Sequence, residues 1–366
     1  MSELEFPPAE TMTLQDGRTL CYAVFGDRSA AARHTVFYHH GFPGSRLEAG
    51  TGNWDAVARR RSVRLVSVDR PGMGGSTHKY GRTLLDWPTD LLALADHLML
   101  KDEKEEREEG TQKKKAAKNP KFAVLGISGG APYTLACWHA LPRSRCAAAA
   151  VVAGLYPHAL GLQDLPLPGQ TIMRLGAWSP WAGARLMDAV ALGAATQERL
   201  VGVAGRGGVL GTLARAVVGD GDTSETPGMA GLTPADAAVW RADPRLRATL
   251  MASTREALRN GGDGAAWDAA AYADWGFGLE ELDVGGGKGE GEGDDGKSKK
   301  GKGRVVFWHG NDDANVPVSM AQRAAALLPD AEFRFSENEG HISLITHKAD
   351  EVLETLCRML DEDAES

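Results

Sequence analysis

The sequence has no apolar run of about 18 residues, the length that a transmembrane helix needs, so no membrane span is expected. It also lacks a basic excess: 41 lysines and arginines stand against 49 aspartates and glutamates, a net charge of −8. Such a chain does not suit a phosphate-rich partner, and nucleic-acid binding is not expected. Residues 1–12 have neither a basic start nor an apolar segment, which argues against a signal peptide and favours a cytoplasmic location.

Cysteine is scarce, and no pair has CxxC spacing. The four thiols, Cys21, Cys137, Cys146 and Cys357, are scattered through a chain long enough to fold without disulfides. We expect them to be reduced and mostly buried. No HExxH pattern or second carboxylate cluster is present either, so no metal is predicted.

Glycine, by contrast, is abundant: 45 of 366 residues, against a usual share of about 7%. Nine of these glycines lie in Gly285–Gly303, a low-complexity segment that predicts a flexible loop. Lys101–Lys118 is rich in charges of both signs and poor in apolar residues, which favours a mobile surface insertion. A helical extension through its first half is the alternative, and either charged segment could instead bind a partner.

The rest of the chain alternates short apolar runs with helical patterns, which predicts an α/β fold with a doubly wound, mostly parallel sheet. A hairpin is predicted at the start, with strands Met12–Asp16 and Thr19–Phe25. The predicted parallel strands are Thr35–Tyr38, Leu65–Val68, Phe122–Leu125, Ala149–Ala153, Arg304–Trp308 and Glu332–Phe335. The predicted helices between them are Trp54–Arg60, Leu84–Leu100 and Ala131–Leu141.

Residues 156–275 show little strand signal and read as a mostly helical insertion. We therefore divide the chain into a core at 1–155, the helical insertion, a flexible loop at 276–303 and a second core part at 304–366. Helical patterns in the insertion cover Ile172–Ala177, Ala182–Leu192, Thr196–Val203, Pro234–Trp240 and Pro244–Leu258. Its large apolar residues, which fit a core better than a pocket at this spacing, are Met173, Trp178, Trp181, Met187, Trp240 and Trp275.

The strongest chemical signal is Gly126-Ile127-Ser128-Gly129-Gly130, which follows an apolar strand and opens a helix. This context is the one that a nucleophile elbow requires: a serine on a sharp turn, with glycines that let strand and helix approach closely. The helix N-terminus would also favour a developing negative charge there. A structural turn or a phosphate-binding turn is the alternative.

A second glycine-containing turn, His39–Ser45, directly follows the strand Thr35–Tyr38. A backbone N–H just past this strand end, that of Phe42, could pair with the N–H of Gly129 as a two-donor oxyanion hole. A plain Gly/Pro turn is the alternative.

Together with Asp69-Arg70-Pro71-Gly72-Met73-Gly74-Gly75-Ser76, these two motifs resemble the α/β-hydrolase superfamily, in the branch with a helical cap. The resemblance implies that residues 156–275 form the cap and that Asp69 and Ser76 are scaffold. It also implies a triad in the order serine, acid, histidine. The glycines 72, 74 and 75 lack the G-x-G-x-x-G spacing of a dinucleotide site, and no organic cofactor is expected.

Both downstream members of the triad have candidates. Gly310-Asn311-Asp312-Asp313-Ala314-Asn315-Val316-Pro317 resembles the family's acid loop, with Asp313 preferred over the adjacent Asp312. His341 follows Gly340 after the last predicted strand, as the family's histidine does. The other nine histidines lack this placement and are expected to be structural or surface groups.

The resemblance implies a serine hydrolase that forms an acyl-enzyme with a small ester-like substrate. Aspartate occupies the nucleophile position in haloalkane dehalogenases and epoxide hydrolases, so Ser128 argues against their chemistry. Ester hydrolysis is favoured; carbon–carbon bond hydrolysis, thioester hydrolysis and acyl transfer use the same triad and stay open. So does a different class, a ligand receptor or noncatalytic interaction protein on this fold. The substrate and the oligomeric state are not indicated.

Overall fold

The computed structural model describes residues 4–29, 31–108, 120–189, 232–284 and 304–364. Within them, eight strands form one sheet with the order β1-β2-β4-β3-β5-β6-β7-β8. The pairs β1–β2 and β2–β4 are antiparallel, and the remaining pairs are parallel. The strands are β1 (Glu10–Thr13), β2 (Thr19–Gly26), β3 (His34–His39), β4 (Val63–Val68), β5 (Phe122–Ile127), β6 (Cys146–Val152), β7 (Val305–Gly310) and β8 (Glu332–Ser336).

Helices cover both faces of this sheet. In the core they are α1 (Trp54–Arg60), α2 (Trp87–Glu108), α3 (Ala131–Ala140), α9 (Val318–Leu327), α10 (His341–His347) and α11 (Ala349–Ala364). Between β6 and β7 lie α4 (Leu167–Trp178), α5 (residues 180–189), α6 (Pro234–Ala242), α7 (Pro244–Ala257) and α8 (Asp263–Ala273). None of the helices in the described ranges is long and apolar enough to span a bilayer.

Alternation along the strands produces one apolar core on each face of the sheet. In β3, for example, Phe37 packs in the core beneath α2 and α3, whereas its neighbours Val36 and Tyr38 pack in the core beneath α1 and α11. Strands buried on both faces explain why the sequence shows continuous apolar runs at these positions. The predicted α/β fold with a mostly parallel sheet is confirmed.

Most element boundaries differ from the prediction by a few residues, and two of these differences have a clear physical reason. β1 begins at Glu10 and ends at Thr13, because the chain already turns at Leu14, whose carbonyl accepts the N–H of Gly17 at 3.0 Å. The helix α2 extends to Glu108, into the charged segment predicted as a surface insertion. Adding turns to an existing helix costs little, which favours this helical extension over an irregular chain. The predicted helix at 196–203 lies outside the described residues.

Between β6 and β7, the helix α8 was not predicted, because its alanine-rich sequence shows little apolar period. Small residues allow close packing instead: a Cβ on Gly176 of α4 would lie 2.5 Å from the Cβ of Ala269 of α8. Trp240 and Trp275 are buried in packing contacts, as expected for core residues, whereas Trp178 and Trp181 are 80% and 72% exposed.

Candidate active site

Ser128 lies between β5 and α3, on a short 3₁₀ turn that continues directly into α3. Its φ of +51° is in the left-handed region, which non-glycine residues seldom adopt. The flanking glycines allow this turn: a Cβ on Gly126 would lie 2.5 Å from Oγ1 of Thr134, and one on Gly130 would collide with the carbonyl oxygen of His39. The turn therefore holds Ser128 at the carboxyl end of the central strand.

His341 and Asp313 form a short, buried side-chain contact. Nδ1 of His341, the first residue of α10, lies 2.7 Å from Oδ2 of Asp313, in the loop after β7. The other oxygen of Asp313 accepts the backbone N–H groups of Asn315 and Val316, both at 2.8 Å. The adjacent Asp312 is exposed. The carboxylate of Asp313, rather than that of Asp312, therefore orients the imidazole.

Burial and mutual attraction act in opposite directions on this pair. Burial favours the neutral form of each group, but the charge of the partner outweighs it. As a result, the pKa of Asp313 lies below its usual value despite burial, and the pKa of His341 lies above its usual value. This electrostatic setting stabilises an imidazolium next to a carboxylate.

The backbone N–H groups of Phe42 and Gly129 lie close to each other. A Cβ on Gly129 would be 3.3 Å from the backbone nitrogen of Phe42. Gly129 also belongs to the first turn of a helix, where N–H groups have no partner within the helix. These two amides therefore both lie beside Ser128.

The peptide groups that contain these two N–H groups each accept a hydrogen bond at their carbonyl oxygen. The carbonyl of Gly41, in the same peptide group as the Phe42 N–H, accepts from Nη2 of Arg70 at 2.9 Å. The carbonyl of Ser128, in the same group as the Gly129 N–H, accepts from the N–H of Leu155 at 3.0 Å. Because C=O and N–H point in opposite directions in a trans peptide, these bonds orient the two donors.

Arg70 is itself fixed by the helical segment between β6 and β7. It is fully buried and forms an ion pair at 2.7 Å with Asp268 of α8. Tyr272, one turn farther along α8, donates its hydroxyl to the carbonyl of Gly129 at 2.7 Å. One helix therefore contacts both backbone segments that carry the candidate oxyanion donors.

The remaining residues of the aspartate-arginine motif contribute structure. Oδ1 of Asp69 accepts the backbone N–H of Arg46 at 2.7 Å, and its Oδ2 accepts the N–H of Gly75 at 2.9 Å. The hydroxyl of Ser76 donates to the carbonyl of Asp69 and accepts the N–H of Cys21. These bonds join the loop after β4 to β2 and to the turn that begins at Arg46, which fits the scaffold role expected for Asp69 and Ser76.

A cavity of about 650 Å³ lies beside Ser128 and His341. Ser128, His341, Phe42 and Gly129 all line it, and most of the other lining side chains are apolar. Among the hydrogen bonds of the described residues, none joins Oγ of Ser128 to His341. The two face the same cavity, and hydrogen bonds between a nucleophile and its base often tighten only in the complex with substrate.

Residues of the helical segment also line this cavity. They are Leu165, Pro166, Pro168, Gly169, Ile172, Met173, Leu246, Leu250 and Thr254. Of the large apolar residues singled out in the sequence, Met173 therefore faces the cavity. No group of three metal-ligating side chains occurs in the part of the chain that the structure describes.

The sequence did not identify two carboxylates near this cavity. Asp236 of α6 accepts the backbone N–H groups of His341 and Ser343, at 3.0 and 2.9 Å. Glu48, in the turn after β3, accepts the N–H of Gly41 at 2.7 Å and lines the cavity. The position of Glu48, three residues after the turn His39–Ser45, was a weak local signal, whereas the contact of Asp236 depends on tertiary packing alone.

Comparison with known proteins agrees with the fold. The model of the Alpha/beta hydrolase family matches residues 36–355. No curated protein sequence matches the chain.

Solved structures with similar folds include three described as esterases. A putative aryl esterase from Burkholderia cenocepacia has a TM-score of 0.53 at 17% identity, covering 98% of both chains. A thermophilic esterase from Thermogutta terrifontis has a TM-score of 0.56 at 16% identity, covering 96% of this chain and 99% of its own. A structure from a study of carboxylesterases of Nitrososphaera gargenis has a TM-score of 0.57 at 12% identity, covering 97% and 100%. At these identities the likeness concerns the fold. Since the family model spans most of the sequence, the chain belongs to the alpha/beta hydrolase family.

Proposed function

We propose that this α/β-hydrolase cleaves carboxylic esters through an acyl-enzyme formed on Ser128. The observation that carries the proposal is the 2.7 Å contact between His341 and Asp313 at the cavity that Ser128 also lines. The esterases among the structures of similar fold support the same reaction type.

In the proposed mechanism, Nε2 of His341 takes the proton of Ser128 as the hydroxyl attacks the ester carbonyl. Asp313 holds Nδ1–H and stabilises the imidazolium that forms. The N–H groups of Phe42 and Gly129 bind the oxyanion, each contributing about 3 kcal/mol to transition-state stabilisation. His341 then protonates the leaving alcohol, and a water molecule attacks the acyl-enzyme with His341 again as base. No step of this scheme requires a cofactor or a metal.

Residues 156–275 form the proposed cap. Their side chains at 165–173 and 246–254 supply much of the apolar cavity wall opposite Ser128. An apolar wall of this kind suits a small acyl or alcohol group with apolar surface to bury.

Carbon–carbon bond hydrolysis, thioester hydrolysis and acyl transfer use the same groups, and a ligand receptor could retain them. To distinguish these functions, we would measure hydrolysis of p-nitrophenyl acetate, butyrate and octanoate by the parental protein and by Ser128→Ala. We expect ester turnover that Ser128→Ala abolishes, together with labelling of Ser128 by a fluorophosphonate, detected by mass spectrometry. Labelling without turnover would favour another acyl substrate. The absence of both would contradict the proposal and favour a receptor.

Ser319→Ala is the control variant. Its hydroxyl lies outside the cavity and donates to Asp164 at 2.9 Å. It should keep both labelling and turnover.

A further inference from the structure

Glu48 is a buried carboxyl group in the cavity wall for which the proposed mechanism has no use. It lies on the 3₁₀ turn Arg46–Gly50 and is 7% exposed. Oε1 accepts the N–H of Gly41 at 2.7 Å and the hydroxyl of Tyr38 at 3.3 Å. These bonds fix the carboxyl group in place.

The second oxygen, Oε2, has no hydrogen-bond partner among the described residues. Two glycines leave space around it: a Cβ on Gly44 would lie 2.7 Å from Oε2, and one on Gly41 would lie 3.2 Å from it. The same Cβ on Gly41 would also be 3.5 Å from the Cβ of Ser128. Oε2 of Glu48 and the Cβ of Ser128 therefore both lie close to Gly41.

In the described part of the chain, no ion pair joins Glu48 to a lysine or an arginine. The charge of Arg70 acts on Glu48, but this guanidinium is already paired with Asp268 at 2.7 Å. The described lining of the cavity contains no lysine or arginine, and its titratable members are Glu48 and His341. A buried carboxylate without its own counter-ion is costly, and a cationic ligand would relieve that cost.

We propose that Glu48 forms a subsite for a cationic group, so that the enzyme prefers esters that carry an ammonium group over neutral esters of the same shape. The inference rests on the proposed ester hydrolysis and names a substrate class for it. A positive group that enters the apolar cavity meets a carboxylate in surroundings that screen charge poorly, and this attraction favours binding.

The preference should depend on pH. Burial raises the pKa of Glu48 to about 7, opposed by the Gly41 N–H, the charge of Arg70, the Tyr38 hydroxyl and His341. The ring of His40 also lies at Gly44, beside Glu48, but burial holds the pKa of His40 well below its usual value, so the ring is neutral. As pH rises through 7, Glu48 becomes charged and attraction for a cation increases.

The test compares two isosteric esters, butyrylcholine and 3,3-dimethylbutyl butyrate, in the parental protein and in Glu48→Gln. Glutamine keeps an acceptor for the Gly41 N–H but carries no charge. In the parental protein, the ratio of kcat/KM for the cationic over the neutral ester should rise about tenfold between pH 6 and pH 8.5, as expected for one partly screened charge pair. In Glu48→Gln the ratio should be lower and independent of pH. The titration of His341 affects both esters equally and cancels in the ratio.

A purely structural role for Glu48 would lower both rates together and leave the ratio unchanged, which would overturn the proposal. Binding of choline and of 3,3-dimethylbutanol to Ser128→Ala, measured by calorimetry at pH 8.5, tests the subsite without turnover. Tighter binding of choline that is lost in Ser128→Ala/Glu48→Gln supports the subsite even if ester hydrolysis fails. Equal binding of the two alcohols contradicts it.

Discussion

The carboxylate of Asp236 binds the N-terminus of the helix that begins with His341, accepting the His341 N–H at 3.0 Å. Asp236 belongs to the segment between β6 and β7, whereas His341 belongs to the core. The contact therefore places a fixed negative charge from one part of the fold beside the candidate base of another. The charge of Asp236 is one of the contributions that raise the pKa of His341.

Replacing Asp236 by asparagine should shift the pH profile of catalysis. Asparagine keeps one oxygen as an acceptor but has no negative charge, so the pKa of His341 should fall. Because the base must be neutral to accept a proton, the acidic limb of kcat/KM should move to lower pH. The measurement is kcat/KM for a p-nitrophenyl ester between pH 5 and pH 9.

Asp243→Asn is the matched control. Asp243 caps α7 by accepting the N–H groups of Arg245 and Leu246, at 2.9 and 3.0 Å, and no described hydrogen bond links it to His341. Asparagine and aspartate cap helices about equally well, so Asp243→Asn should lose little unfolding free energy. Asp236 uses both carboxylate oxygens as acceptors, so Asp236→Asn should lose about 1 kcal/mol with one of these bonds. Only Asp236→Asn should shift the acidic limb, and an equal shift in both would contradict the prediction.

Asp313→Asn should lower kcat by about 10⁴-fold, because an amide no longer holds the imidazole in the tautomer that accepts the serine proton. Asp312→Asn changes the adjacent, exposed carboxylate and should keep nearly the parental kcat. Steady-state kinetics on one ester compare the two. Similar losses in both variants would show that the loop rather than the carboxylate of Asp313 matters.

Gly130→Ala should destabilise the fold by about 1–3 kcal/mol, because the new methyl group collides with the carbonyl of His39 in a packed interior. Gly169→Ala in α4 is the control, since the nearest atom to its added Cβ is the Cβ of Leu165 at 3.9 Å. It should cause no loss of stability. Urea unfolding of both variants gives the comparison, and equal midpoints would contradict the role of Gly130.

Acid should destabilise the protein through buried histidines, and His39 in particular. Its Nε2 accepts the indole N–H of Trp87 at 3.0 Å, and its Nδ1 lies 2.7 Å from Oγ1 of Thr134, which fits a neutral ring. Burial lowers the pKa of His39 from 6.5 to about 3.

The unfolded chain therefore takes up a proton near pH 6.5 that the folded protein does not. Above about pH 6.5 this group does not lower the free energy of unfolding. As pH drops from 6.5 toward 3, the free energy of unfolding falls by up to about 1.4 kcal/mol per pH unit for this group. Urea unfolding at pH 7.5, 6.0 and 5.0 measures the slope, and His39→Gln should reduce it. An unchanged slope would show that His39 does not contribute.

Local sequence patterns were sufficient to predict much of the fold. Apolar runs bounded by glycine, proline or aspartate located strands such as β5, because strands buried on both faces need continuous apolar side chains. The elbow around Ser128 was recognisable because its geometry requires glycines at fixed offsets. Helix α8 was harder, since small residues such as Ala269 pack closely against Gly176 of α4 without producing a clear period.

Amino-acid sequence by itself determined the family, the order of the elements and the candidates Ser128, Asp313 and His341, since each follows a strand end within a local motif. Only the tertiary structure decided which carboxylate faces His341, and that Asp236, Glu48 and Arg70 surround the site. These contacts join residues far apart in the chain, as in the pair of Arg70 and Asp268 at 2.7 Å, 198 positions apart. Packing and the need to compensate buried charge determine these contacts, and no local sequence pattern encodes either of them.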